Sequence, residues 1–221
     1  MAKDLTPVVT PVGELWYVNI TGQGKQNYNE DGYEYVATVH LTGKPAEDLK
    51  AKILEVLGPV PKGKTVKSTG FRELLKDAEG IYTPTKNTTE RDKKAEPTGI
   101  IAFTFKTGAV FEDGRPKKVA VYNASAQKVE MGERLIGNGS KGAISGKLQR
   151  NERGPEIMVS LYLNAIQLTE YVPYEGDAGF EAQAEGTFTA PTDGESGFQG
   201  QPAQGSTAES PAEPAKVKPR L

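Results

Sequence analysis

The sequence predicts a mainly β protein, a small β-barrel with one capping helix, followed by a disordered acidic tail. Three observations carry this reading. Runs of β-branched and aromatic residues recur between residues 14 and 171, whereas only one segment carries a convincing helical stripe. Gly (25) and Pro (15) are abundant among 221 residues and hydrophobic residues reach only 36%, so part of the chain lies outside any packed core. From residue 174 onward the chain contains no Ile and no apolar periodicity, and it cannot bury enough surface to offset the entropy of ordering. The division is therefore 1–173, folded, and 174–221, disordered.

Each element has its own signal. A Pro-rich arm leads into Glu14 to Ile20 (ELWYVNI), a first strand. Tyr33 to Leu41 (YEYVATVHL) alternates, with Tyr33, Tyr35, Ala37 and Val39 on one face, and is a second. Pro45 to Leu57 is the helix: Pro45 suits a first turn, and Glu47 and Asp48 favour its positive end. Leu49, Ile53, Leu54 and Leu57 form its stripe, and Gly58-Pro59 stops it. Phe71 to Ala78 reads as a short second helix, and residues 80–98 as a long polar loop. Strands follow at Gly99 to Phe111, Lys117 to Ala124, Lys141 to Gln149 and Glu156 to Tyr171. About six strands are best buried by closing on themselves, which removes free edges.

Composition narrows the chemistry. With no Cys and a single His, disulfides, thiol catalysis, Cys-ligated zinc and multi-His metal sites are excluded. The opening MAKDLTPVV lacks the apolar centre of a secretory signal, and no apolar run approaches the ~18 residues of a membrane span, so a soluble intracellular protein with no membrane partner is expected. The net charge of −2 conceals an asymmetry. The tail holds eight acids against three bases (−5), and the body 21 acids against 24 bases (+3). A mildly basic body suits a polyanion, and an acidic tail competes for that site, docks a partner, or merely solubilises the chain.

Sharper motifs dissolve on inspection. GNGSKG (Gly137 to Gly142) matches a dinucleotide fingerprint, but the following AISGKL has no helical stripe to receive a phosphate. It reads instead as a turn into a Gly-rich strand, where another backbone approaches closely. His40 reads as a structural histidine, and Glu112-Asp113 as turn residues beside Gly114. Nothing points to a cofactor, a metal or a catalytic group, so a binding protein is expected rather than an enzyme.

What remains is aromatic residues interleaved with bases. Rings stack on unpaired bases and Lys or Arg neutralises phosphates, which is the chemistry single-stranded nucleic acid requires. The candidate rings are Trp16, Tyr17, Tyr33, Tyr35, Tyr122 and Tyr162, and the candidate bases Lys106, Lys118, Lys141, Lys147 and Arg150. Parity refines this set. Ile157, Val159, Leu161 and Leu163 share the core face of the last strand, which leaves Tyr162 outward between Ser160 and Asn164. Phe103 and Phe105 fall with Ile101 in the core, so Thr104 and Lys106 face out; Lys118 and Tyr122 share a face with Ala120.

The order IIAFTFKTGAVFEDGRPKKVAVYNASAQKVEMGERLIGNGSKGAISGKL, then EIMVSLYLNAIQLTEY, then a charged tail, resembles bacteriophage replication-type single-stranded DNA-binding proteins across residues 100–171, and more loosely over the strand–strand–helix region Glu14 to Leu57. The resemblance implies an OB-fold-like barrel, closed or partly open, that coats single-stranded DNA in replication, recombination and repair within the cytoplasm of an infected bacterium. It also implies a tail that engages phage or host replication proteins and competes with DNA, and it leaves room for self-association. Lys106 falls on a basic position after the FxF pair, and Lys141 on the one after the Gly-rich turn. Ala143 and Ser145 stand where such proteins carry Lys, with Lys147 and Arg150 as substitutes, and the tail ends AKVKPRL rather than in an acidic run with a terminal aromatic. The rival reading is a β-rich phage structural or assembly protein with a basic protein-binding face.

Overall fold

The computed structural model describes residues 5–27, 32–84, 89–111, 113–132 and 134–174. In chain order the strands are β1 (Thr6–Val9), β2 (Gly13–Asn19), β3 (Lys25–Gln26), β4 (Tyr33–Thr42), β5 (Thr65–Ser68), β6 (Phe71–Asp77), β7 (Gly80–Tyr82), β8 (Glu96–Gly108), β9 (Ala120–Tyr122), β10 (Lys128–Val129), β11 (Ser140–Arg153) and β12 (Glu156–Glu170). Helix α1 spans Gly43–Leu57 and α2 spans Glu90–Lys94. Beyond Tyr174, the tail expected from residue 174 lies outside the described residues.

Five long strands make the barrel. Hydrogen bonding runs β12–β11–β2–β4–β8, and a parallel pairing of Tyr162 with Lys106 returns from β12 to β8. Period-2 patterning explains the closure, because one face of every strand is apolar and must turn inward. Leu15, Val39, Phe103, Phe105, Ile144, Leu148, Ile157 and Ile166 are fully buried there. Burial of each such side chain is worth about 1.5–3 kcal/mol. The remaining strands extend the sheet: β6 and β7 beyond β8, β9 and β10 beyond β12, β1 on β11, and β5 on β12.

Helix α1 buries Ala46, Leu49, Ile53 and Leu57 against the barrel. It begins two residues before Pro45, so Glu47 and Asp48 fall beyond the first turn, and Leu54 is exposed rather than part of the stripe. Its C-terminal end is closed by the Gly58 amide, which donates to the Leu54 carbonyl at 3.0 Å, and by Arg150. The Arg150 guanidinium donates to the carbonyls of Leu57 and Pro59 and pairs with Glu152 at 2.9 Å.

Three stretches differ from the sequence reading. Phe71–Asp77 is a strand, not a helix: β8 offers an open edge, Phe71 pairs with Phe103 in register, and the ladder overrides the helical propensity of FRELLKDA. The 80–98 loop contains β7 and the capping-box helix α2, and β8 starts within it. The Pro-rich arm contains β1, whose Pro7 sits on an added edge strand where no ladder donor is needed.

The Gly-rich strand behaves as expected. A Cβ on Gly142 would lie 2.2 Å from the Gln167 carbonyl oxygen, and one on Gly146 2.4 Å from that of Tyr162 and 2.8 Å from the Phe105 ring. Register shifts next to both positions bend β11 around the core.

Candidate nucleic-acid interface

The side chains that alternate away from the core on β4, β8 and β12 floor a groove of about 510 Å³. Thr38 and Thr104 sit opposite each other across β4 and β8, their hydroxyls 3.1 Å apart. Ser160 and Met158 contribute from β12, and Phe71 and Arg72 form the wall supplied by β6. Phe71 is half-buried and packs on Phe103 with ring centres 5.9 Å apart. Arg72 donates to the Pro84 carbonyl at 2.6 Å, which ties the β6–β7 extension to the rim. Among the described residues no carboxylate lines the groove.

Aromatic and basic groups stand at the ends. Tyr162 is 37% exposed and lies in register between Lys106 on β8 and Lys147 on β11. Lys106 is held by Glu34 at 2.6 Å. Lys147 is exposed and has no ion pair with a described residue. Tyr17 is 63% exposed and lines the groove from β2. Beside it, Trp16 is half-buried and stacks on His40, with centres 5.2 Å apart and planes 14° from parallel.

His40 is a structural residue of this outer face. Its Nε2 is buried without a hydrogen-bond partner among the described residues, and burial lowers its pKa below the ordinary 6.5, against an opposing pull from Glu14. The unfolded chain therefore takes up the proton first as pH falls below 6.5, so this group weakens stability on acidification and not above neutrality. Because imidazolium quenches indole, Trp16 emission in the native protein is expected to fall with a midpoint below 6.5, and this quenching should vanish in His40→Gln. A midpoint at or above 6.5 would contradict the burial.

Of the other sequence-derived candidates, several serve elsewhere. Tyr35 is 5% exposed and its hydroxyl donates to the Gly22 carbonyl at 2.9 Å, so its ring is a core residue with no face open to a base. Arg150 is committed to the end of α1. Lys141 pairs with Glu170 at 2.7 Å. Lys118 lies with Lys117 and Lys128 on a second cavity of about 430 Å³, Tyr122 is half-buried on β9, and Tyr33 is exposed at the start of β4. Tyr17, Lys106 and Tyr162 are thus the candidates gathered on the groove, with Trp16 and Lys147 next to it. Thr38, Arg72 and Met158 are absent from the sequence-derived candidates, and Thr104 enters there only as an outward-facing residue. Parity on β4 and β8 contains the signal for the two threonines, but reading Phe71 to Ala78 as a helix conceals Arg72.

Taken in barrel order, β2, β4, β8, β12, β11 and back to β2, the five strands trace the Greek-key barrel of an OB-fold, and α1 lies between its second and third strands. No family model matches the chain, and no curated protein sequence matches it. Among solved structures it is similar to gp2.5, a single-stranded DNA-binding protein encoded by bacteriophage T7, with a TM-score of 0.54 and 16% identity over 85% of this chain and 100% of that one. A C-terminally truncated single-stranded DNA-binding protein from bacteriophage Enc34 aligns at a TM-score of 0.46 and 11% identity, over 79% of this chain and 99% of that one. The resemblance read from residues 100–171 thus has its counterpart in the fold. Among the described residues no helix is long and apolar enough to cross a membrane.

Proposed function

We propose that the protein binds single-stranded DNA with little sequence preference and does no chemistry on it. The observation that carries this is the outer groove itself: Tyr17 and Tyr162 offer rings, Lys106 and Arg72 line it, Lys147 adjoins it, and among the described residues no carboxylate lines it. Bases stack on rings whatever their identity, and phosphates follow the cations, so affinity is general rather than coded. The groove crosses the second and third barrel strands, the face on which OB-folds hold oligonucleotides. The T7 protein of the same fold is a single-stranded DNA-binding protein. A role in phage replication, recombination and repair inside the host cell, with the tail meeting replication proteins and competing for the groove, extends the same proposal.

Anisotropy of labelled oligo-dT across a salt series tests it. Log affinity should fall linearly with log salt, by roughly 0.7 per phosphate neutralised. Absent or salt-insensitive binding would leave the assembly-protein reading in its place.

Glu34 supplies an internal check. Its carboxylate holds Lys106 at 2.6 Å, so a phosphate must compete for that ammonium. Glu34→Gln is expected to tighten binding at low salt and to steepen the salt slope by roughly 0.7. An unchanged slope would mean that Lys106 does not reach phosphate.

A further inference from the structure

The GNGSKG turn opens into strand β11 rather than a helix, and it makes an unusual contact. Asn138 Oδ1 accepts the backbone N–H of Tyr17 at 2.8 Å, across 121 positions of sequence. Tyr17 has φ = 53°, the left-handed region, and among the described residues only Ala126 is another non-glycine with positive φ. Ala126 sits in a tight Asn123–Gln127 turn, whereas Tyr17 lies inside a strand. The register of β2 on β4 jumps there, from Trp16 opposite Thr38 to Asn19 opposite Val36, so two residues face one. An aromatic residue adopts this conformation only where its surroundings impose it.

The surroundings are well anchored. The Gly139 amide donates to the Leu15 carbonyl at 3.0 Å, fixing the turn to β2 two residues before the bulge. Ser140 is fully buried; its hydroxyl lies 2.9 Å from the Gly137 carbonyl and 3.2 Å from that of Val172, and accepts the Val172 amide at 3.0 Å. Gly137 packs so closely that a Cβ would stand 2.6 Å from the Pro173 carbonyl oxygen. The anchored turn thus reaches out one acceptor, and that acceptor holds the only non-glycine strand residue with positive φ among the described residues. The Tyr17 ring is left 63% exposed at the groove.

We propose that the Gly137–Gly142 turn is a clamp: Asn138 holds the Tyr17 bulge so that the Tyr17 ring stands ready at the groove to stack on an unpaired base of single-stranded DNA. Asn138 is a positioning residue that need not touch the ligand. The inference rests on the binding function proposed above. Without the clamp, β2 relaxes toward regular pairing, and a shift of one residue turns the ring toward the other face.

Full-length Tyr17→Gly, Tyr17→Ala, Asn138→Ala and the Tyr17→Gly/Asn138→Ala double variant would be compared in oligo-dT affinity and melting temperature. Tyr17→Gly and Asn138→Ala should each weaken binding by roughly tenfold, the loss of one stacked base, with the double variant no weaker than Tyr17→Gly. Glycine accepts the left-handed backbone, so Tyr17→Gly should melt about 2–4 °C above Tyr17→Ala. If Asn138→Ala binds like the unaltered protein, or costs as much again without the ring, the clamp is refuted while the binding function stands. Equal melting of the Gly and Ala variants also refutes it, and this comparison decides the matter alone should Asn138→Ala fail to fold. An unaltered protein that does not bind oligo-dT removes both proposals.

Discussion

Phe105→Ala is expected to destabilise the protein by about 3–5 kcal/mol, the cost of emptying the place of a fully buried aromatic ring. The barrel has little means of refilling that space. Phe105 sits on β8 opposite Ala37 and faces Gly146 on β11, two residues with almost no side chain to move inward. Both small residues are there because the ring takes the volume, and Gly146 cannot be enlarged, since a Cβ would meet the Tyr162 carbonyl oxygen at 2.4 Å. Urea unfolding followed by Trp16 emission measures the loss. Lys106→Ala, one position along and pointing outward, should stay within about 0.5 kcal/mol of the unaltered protein. A cost below about 1 kcal/mol at Phe105 would show that the core collapses more readily than its close packing implies.

Tyr162→Ala is expected to weaken oligo-dT binding by about 1–3 kcal/mol, some 5- to 150-fold, with little change in stability. The ring lies on the outer face of β12, flanked in register by Lys106 and Lys147, so a base stacked on it would have its phosphates within reach of two ammonium groups. Tyr162→Phe should retain most of the affinity, because the π face and not the hydroxyl does the stacking. Anisotropy titrations at two salt concentrations, alongside thermal melts, separate the alternatives. A variant that loses melting temperature in proportion to affinity would mark Tyr162 as a packing residue.

The barrel strands were legible because period-2 patterning fixes which face is buried, and that parity is a local property. Phe103 and Phe105 inward and Tyr162 outward follow from it directly, and they stand so in the structure. Tyr35 obeys the same rule: it alternates with Ala37 and Val39, both fully buried, and its ring belongs to the core rather than to a binding face. What sequence could not supply was the offer made by distant edges. The segment FRELLKD pairs with β8 because β8 has an edge to fill, TPVV because β11 does, and neither partner is visible locally. Arg150 was similarly opaque, since only the fold brings it to the end of α1, 93 positions earlier. The bulge at Tyr17 needs knowledge of a turn 121 positions later.

Strand β12 pairs with β11 along its length and also with β5, β8 and β9, although its link to β8 is a single residue pair. It is also the final strand that the described chain provides. As synthesis proceeds from the N-terminus, β5, β8 and β9 therefore emerge before the partner they share, and three sheet edges wait on one late arrival. Such long-range pairing makes folding slow, and waiting edges are where chains join to one another instead of to themselves. The yield of correctly folded protein should then depend on how crowded the nascent chains are and how long they stay open, so slow, cool synthesis favours it. The proposed binding groove is laid across the strand that arrives last, so it is complete only when folding is finished.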